Sequence, residues 1–213
     1  MKKSNMKDTK LRPLTATAAL SAASAITASA AIVITPDSVT ATTSLRSASP
    51  ISATIDGTGL VSTVGDISTW THAVNDPQGN YWLSGRNAGK NGNEVITFDL
   101  GGTFDVEGLY LWQYTLENST NRQIVDATLT FSTDGINYSN SIAWNPALVT
   151  TSTAYTPENF TFTAVEDVTH IKMLVENSSD FVGLAEIRFS AVPEPSAALL
   201  SGFALLGLLR RRR

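Results

Sequence analysis

The chain has 213 residues, two histidines, no cysteine and a formal net charge of −4. That charge is uneven: residues 51–191 carry five Lys/Arg against sixteen Asp/Glu, a balance of −11, between two basic ends. An acidic body repels phosphate backbones, so nucleic acid is not an expected partner. The absence of cysteine excludes disulfides, thiolate metal sites and cysteine nucleophiles.

In chain order, Lys2, Lys3, Lys7, Lys10 and Arg12 precede an uncharged run from Leu14 to Ala31, with a small-x-small step at Ala28-Ser29-Ala30. This is the pattern of a secretory signal peptide over residues 1–30. Residues 31–50, including TPDSVTATTSLRSASP, read as a polar linker without periodicity.

Residues 51–190 alternate and are rich in Thr, Val, Ile, Phe and Tyr. Strands are expected at Glu94–Leu100 and, after a Gly101-Gly102 turn, at Val106–Tyr114. Leu109 and Leu111 would share one face there, with Tyr110, Trp112 and Tyr114 on the other. Further strands are expected at Asp126–Ser132, Asn159–Thr163, His170–Val175 and Leu184–Phe189. Thr133–Asn137 reads as a hairpin turn in which Gly135 supplies the positive φ. Short strands at this spacing predict an all-β sandwich or jelly roll. The expected core comprises Trp82, Phe98, Leu100, Leu111, Trp112, Leu129, Phe131, Ile171, Leu174 and Ile187.

At the C-terminus, Ala197–Leu209 is apolar apart from Ser201 and two glycines, and Arg210, Arg211, Arg212 and Arg213 follow. Counted from Val192 the run has 18 residues, near the lower limit for a tilted transmembrane helix. The four arginines would hold its end in the cytoplasm. Pro193 and Pro195 cannot sit inside that helix and mark an extended segment before it. This order of Pro193-Glu194-Pro195, apolar helix and Arg cluster, over 192–213, resembles the PEP-CTERM sorting signal of Gram-negative bacteria. The resemblance implies recognition by an exosortase, a transient membrane anchor and export to the cell surface or extracellular matrix.

In the body, Ala73-Val-Asn-Asp-Pro-Gln-Gly-Asn-Tyr-Trp82, Phe98-Asp-Leu-Gly101, Leu111-Trp-Gln-Tyr with Asn121-Arg122 and Phe131-Ser-Thr-Asp-Gly135, and Val182–Phe189 occur in that order. They resemble the discoidin, or coagulation-factor C-type, domains, which are galactose-binding-like jelly rolls. Gln113 departs from the Asn found in many bacterial relatives. In such domains the early loop commonly holds calcium, closed by a carboxylate from the last strand. The resemblance therefore implies Glu186, beside Asn75, Asp76 and Asn80, whose oxygens suit a hard cation in a tight turn. The bland alternative is a turn capped by Asn and Asp, with Glu186 pairing with a neighbour.

No catalytic constellation is legible. His72 and His170 are a hundred residues apart and form no zinc set, and no Gly-rich loop precedes a helix. His170 reads as an ordinary strand residue. A non-catalytic module binding extracellular polysaccharide is the expected function. Loop residues Trp70, His72, Tyr114, Asn118, Arg122 and Trp144 are the candidates, as aromatic faces and planar donors suit sugar rings. The alternative is a purely structural envelope or matrix protein with no sugar pocket.

Overall fold

The computed structural model describes residues 31–45, 50–74, 79–88, 90, 92–116, 120–177 and 179–193. The expected signal peptide over 1–30, Glu194, Pro195, the apolar run and the arginine cluster lie outside them. No helix among the described residues is long and apolar enough to cross a membrane.

The described residues form ten strands: β1 (Ile32–Ile34), β2 (Ser38–Ala41), β3 (Leu60–Ser62), β4 (Thr71–His72), β5 (Trp82–Leu83), β6 (Glu94–Gln113), β7 (Asp126–Ser132), β8 (Ser139–Trp144), β9 (Glu158–Glu176) and β10 (Gly183–Ala191). Two short 3₁₀ turns, Ile51–Thr54 and Ile67–Thr69, are the helical elements among the described residues. The main sheet runs β1-β10-β6-β9-β7-β8, with β2 also on β6 and β5 on β10; β3 and β4 form a separate pair. Every pairing is antiparallel.

Two strands are far longer than the sequence pattern suggests. Glu94–Leu100 and Val106–Tyr114 were expected to be separate strands joined by a turn at Gly101-Gly102. Instead β6 continues through the glycines, and its register on β9 jumps from Asp99↔His170 to Phe104↔Val168. The expected strands at Asn159–Thr163 and His170–Val175 are likewise two halves of β9. Bulges bend a strand without ending it, so the ribbon folds over. Its first half lies in a layer with β2, β7 and β8, and its second half in a layer with β1, β5 and β10. The Phe98 and Phe189 rings then meet across the sandwich, centroids 5.2 Å apart and nearly perpendicular.

The core follows the alternation. Phe98, Leu100, Leu109, Leu111, Leu129, Phe131, Ile171 and Ile187 all lie in it, as does Trp82. Leu174 does not. It is half-buried, because Met173 and Val175 are the β9 residues that point inward. The opposite face of β6 is also covered: Tyr110 and Trp112 pack with Ile67, Tyr155 and Ala185 beneath the segment from 51 to 72. The expected turn holds, with Gly135 at φ +73° between β7 and β8.

The expected linker over 31–50 differs most. Residues 32–34 pair with the end of β10, and 38–41 pair with the first half of β6. Ile34 is buried and Val39 and Ala41 pack on the core. Three- and four-residue strands leave too short a period to read against a Thr/Ser-rich background.

The tightest crossing in the ribbon is at Gly108. A Cβ there would stand 2.7 Å from the Phe160 carbonyl oxygen and 2.8 Å from Ser190 Oγ. Backbone cannot give way as a side chain can. Gly108→Ala is therefore expected to cost about 1–3 kcal/mol by overpacking, read as a lower urea midpoint at unchanged m-value.

Candidate functional site

Because the ribbon doubles back, the ends of both layers meet at one pole. Residues 79–88, 114–116, 120–125, 177 and 179–182 gather there. Buried side-chain amides lock them in place. Gln113 accepts from Ile124 N (3.0 Å) and donates to Ile124 O (2.9 Å). Gln123 does the same for Val149, at 2.8 and 2.6 Å. Asn177 donates to the Gln123 carbonyl, and Gly183 N to the Arg122 carbonyl at 2.7 Å. Glu94, wholly buried, accepts from Thr43 N (3.0 Å) and Thr43 Oγ1 (2.6 Å).

On this frame the structure brings two of the expected ligand residues together. Arg122 Nη1 donates to Tyr114 Oη at 3.4 Å, and its guanidinium lies 5.4 Å from the Phe181 ring centre. Tyr114 is buried and meets Tyr81 edge-on at 4.9 Å, with Leu83, Leu116 and Phe181 around it. Beside them Arg86 Nε stands 3.6 Å from Asp180 Oδ2 on the exposed rim. Arg122 is half-buried, held by an aromatic floor but open to solvent. Phe181, Arg86 and the two amide locks were not legible in advance, since each depends on a chain segment remote in sequence.

The other expected ligand residues fall elsewhere. Trp70 packs on the Trp112 cluster and donates its Nε1 to Gly65 O at 3.2 Å. Trp144 sits on β8, 7% exposed and stacked on Phe160 at 4.9 Å and 11°. It belongs to the core because β8 turns that position toward the β9 aromatics. His72 is wholly buried, placed on β4 between Ala73 O (2.7 Å from Nδ1) and Thr58 O (3.2 Å from Nε2). No ligand reaches it without opening the layer. Asn118 lies outside the described residues. His170 occupies β9 as expected, 3.7 Å from Asp99.

A cleft lies at the opposite pole. It measures about 630 Å³ and is lined by Thr133, Asn140, Ser141, Ile142, Ala164, Val165, Glu166 and Asp167. It offers neither an aromatic face nor a cationic donor, whereas the Arg122 cluster offers both.

The expected calcium set is only partly on view. Asn75 and Asp76 lie outside the described residues. Asn80 is 8% exposed, with Nδ2 3.5 Å from Val74 O. It borders Gly59, which sits at φ +97°, where a Cβ would stand 3.0 Å from Asn80 Cβ and 2.4 Å from His72 Cε1. Glu186 is wholly buried on the outer face of β10, beside Asp56 and Gly57. Arg188 Nη1 stands against its Oε1 as an ion pair, and neither carboxylate oxygen completes a well-formed hydrogen bond. Burial pushes the Glu186 carboxyl above the ordinary carboxylate range, and Arg188 is the strongest influence pulling it back. Among the described residues no three His, Cys, Asp or Glu side chains gather as a metal-binding group. Within the described part of the set, a fixed cation faces the carboxylate expected to close it.

Residues 191–213 match the family model of the PEP-CTERM protein-sorting motif, which marks an exported, surface-sorted protein. A search of curated proteins finds no match. Among solved structures, the chain is similar to CBM32-3 from a family 31 glycoside hydrolase of Clostridium perfringens. The TM-score is 0.50 at 14% identity, covering 75% of this chain and 94% of that one. It is also similar to a histidine mutant of the lectin binding domain of lectinolysin, complexed with Lewis b. There the TM-score is 0.50 at 13% identity, covering 73% and 92%. At these identities the likeness shows the fold: a galactose-binding-like β-sandwich.

Burial lowers the pKa of His72 below its ordinary value, so the folded state holds it neutral while the unfolded chain protonates it near 6.5. Its contribution is full above pH 6.5 and is lost progressively as pH falls below that value toward the lowered folded-state pKa. The gap in unfolding free energy between the wild type and His72→Gln is therefore expected to shrink from pH 7.5 to pH 5.5. Urea titrations at the two pH values check this.

Proposed function

We propose that the protein is an exported, non-catalytic module that binds extracellular polysaccharide at the pole carrying Arg122, Tyr114 and Phe181. The observation that carries this reading is the half-buried Arg122, held over Phe181 and bonded to Tyr114 Oη. A guanidinium fork donates to neighbouring sugar hydroxyls, and an aromatic floor packs the apolar face of the ring. The lectin binding domain complexed with Lewis b has the same fold, which makes a carbohydrate the natural ligand class here. We assign no reaction: within the described residues the side chains at this pole include no nucleophile paired with a base.

The sorting motif supports the rest of the proposal. An exosortase of a Gram-negative bacterium would process the chain near Pro193-Glu194-Pro195. The apolar helix would anchor it in the membrane until then, and the product would reside at the cell surface or in the matrix.

One observation favours the structural alternative. Among the described residues, Asn159–Val165 of β9 has a strand partner on one side only, β6, and it carries no charge, proline or glycine. Such an edge can add a further strand. If assembly is the function, sedimentation velocity shows oligomers that Thr161→Lys disperses while glycan retention is nil.

For the sugar reading, titration calorimetry against a panel of neutral and acidic polysaccharides is the direct test. Arg122→Ala and Phe181→Ala are each expected to weaken the best ligand about tenfold or more, in line with loss of a charged hydrogen bond or a packed aromatic. Trp144→Phe is expected to leave affinity unchanged. Undiminished binding by both pole variants would remove the site.

A further inference from the structure

We propose that Arg188 is the resident cation of the layer that covers the outer face of β10: its guanidinium takes the place beside Glu186 that a divalent ion would fill, and the domain holds that layer without metal.

The geometry is specific. Glu186 and Arg188 are two residues apart on β10, so both leave the strand on the face opposite Ile187 and Phe189, which enter the core. Both are enclosed, at 0% and 5% exposure. Arg188 Nη1 faces Glu186 Oε1 and also donates to the Ile187 carbonyl at 2.8 Å, which fixes the guanidinium on its own strand. The segment Asp56–Gly59 closes over the pair. A Cβ at Gly57 would stand 3.8 Å from Arg188 Nη2, and Asp56 adds a second acidic charge near Glu186. Asp56 Oδ1 in turn accepts Thr58 N at 2.8 Å, shaping the turn whose Thr58 carbonyl meets His72. Gly59 then abuts His72 and Asn80. One arginine thus sits beneath the junction of the 56–59 turn, β4 and the residue that leads into β5.

Charge decides between the two cations. A guanidinium cannot shed its proton at accessible pH. A calcium ion brought to Glu186 would meet that fixed positive charge inside a poorly screened site, where repulsion is far stronger than in water. Arg188 and the ion would compete for one carboxylate. The consequence reaches function: matrix polysaccharides rich in carboxylates sequester calcium, and a module stabilised by its own arginine keeps its loops in place regardless.

The test is calorimetric and needs no glycan, so it stands whatever the outcome of the sugar-binding experiments. The melting temperature of the purified protein is measured in EDTA, in buffer and in excess calcium chloride. The expected result is one value in all three; a fall in EDTA or a rise with calcium overturns the proposal. A double-mutant cycle supplies the second arm. Glu186→Gln and Arg188→Gln are each expected to lower the melting temperature by several degrees, and the double variant by less than the sum, because each single change strands a buried partner. Strict additivity of the two losses also overturns it.

Discussion

The antiparallel ribbon of β6 and β9 is the constraint on which the rest depends. Its register begins at Glu94↔Val175 and ends at Leu111↔Glu158, passing through bulges in the middle. Each strand therefore serves both layers of the sandwich. Neither layer can form alone, since each borrows its central strands from the same pair. The bend sets the packing of Phe98 on Phe189 and brings the loops after β6, β9 and β5 to one pole. Close backbone approach at Gly108 is the steric condition for that bend.

A second layer of burial follows from the same strands. A two-layer sandwich ordinarily leaves outward residues in water, yet Tyr110, Trp112, Glu186 and Arg188 on the outer faces of β6 and β10 are all enclosed. The segment from Ile51 to His72 does this with short turns and the β3–β4 pair. Polar groups beneath such a cover must find partners inside it. The Glu186–Arg188 ion pair, the single N–H of neutral His72 shared between the carbonyls at its two ring nitrogens, and the Trp112 Nε1 bond to Trp70 O at 3.4 Å serve this need. Charge, not apolar area alone, fixes how this cover sits.

The sequence was most legible where alternation met bulk. Trp82, Phe98, Leu111, Phe131 and Ile187 were assignable to the core because period-2 patterning and large apolar side chains point the same way. It was least legible where structure depends on distant partners. The glycine pair at 101–102 looks like a turn from either side, and only β9 running alongside makes it a bulge. Trp144 resembles a loop aromatic until Phe160 is found stacked on it. His72 resembles a loop ligand until Thr58 and Ala73 close on it. Of the expected ligand residues, Arg122 and Tyr114 do meet, and their partner Phe181 comes from a loop some sixty residues on, invisible to any local pattern. Arg188 was read only as one of five basic residues, since nothing in Ala-Glu-Ile-Arg-Phe says that its charge turns inward.

The two poles of the sandwich divide the labour. β1 and the end of β10 pair at Ile32↔Ala191, and Val192 N donates to Asp105 O at 2.9 Å, so the chain leaves the fold beside the bend. β10 itself starts at the other pole, where Gly183 N meets Arg122 O. A nine-residue strand at about 3.3 Å per residue separates these points by about 30 Å. The sorting motif at 191–213 therefore departs from the pole opposite Arg122 and Phe181. On the proposed reading, a tether at the motif would hold the domain from the pole opposite Arg122. A ligand of the proposed Arg122 site would then meet the domain about 30 Å from the motif, because β10 runs the length of the sandwich between them.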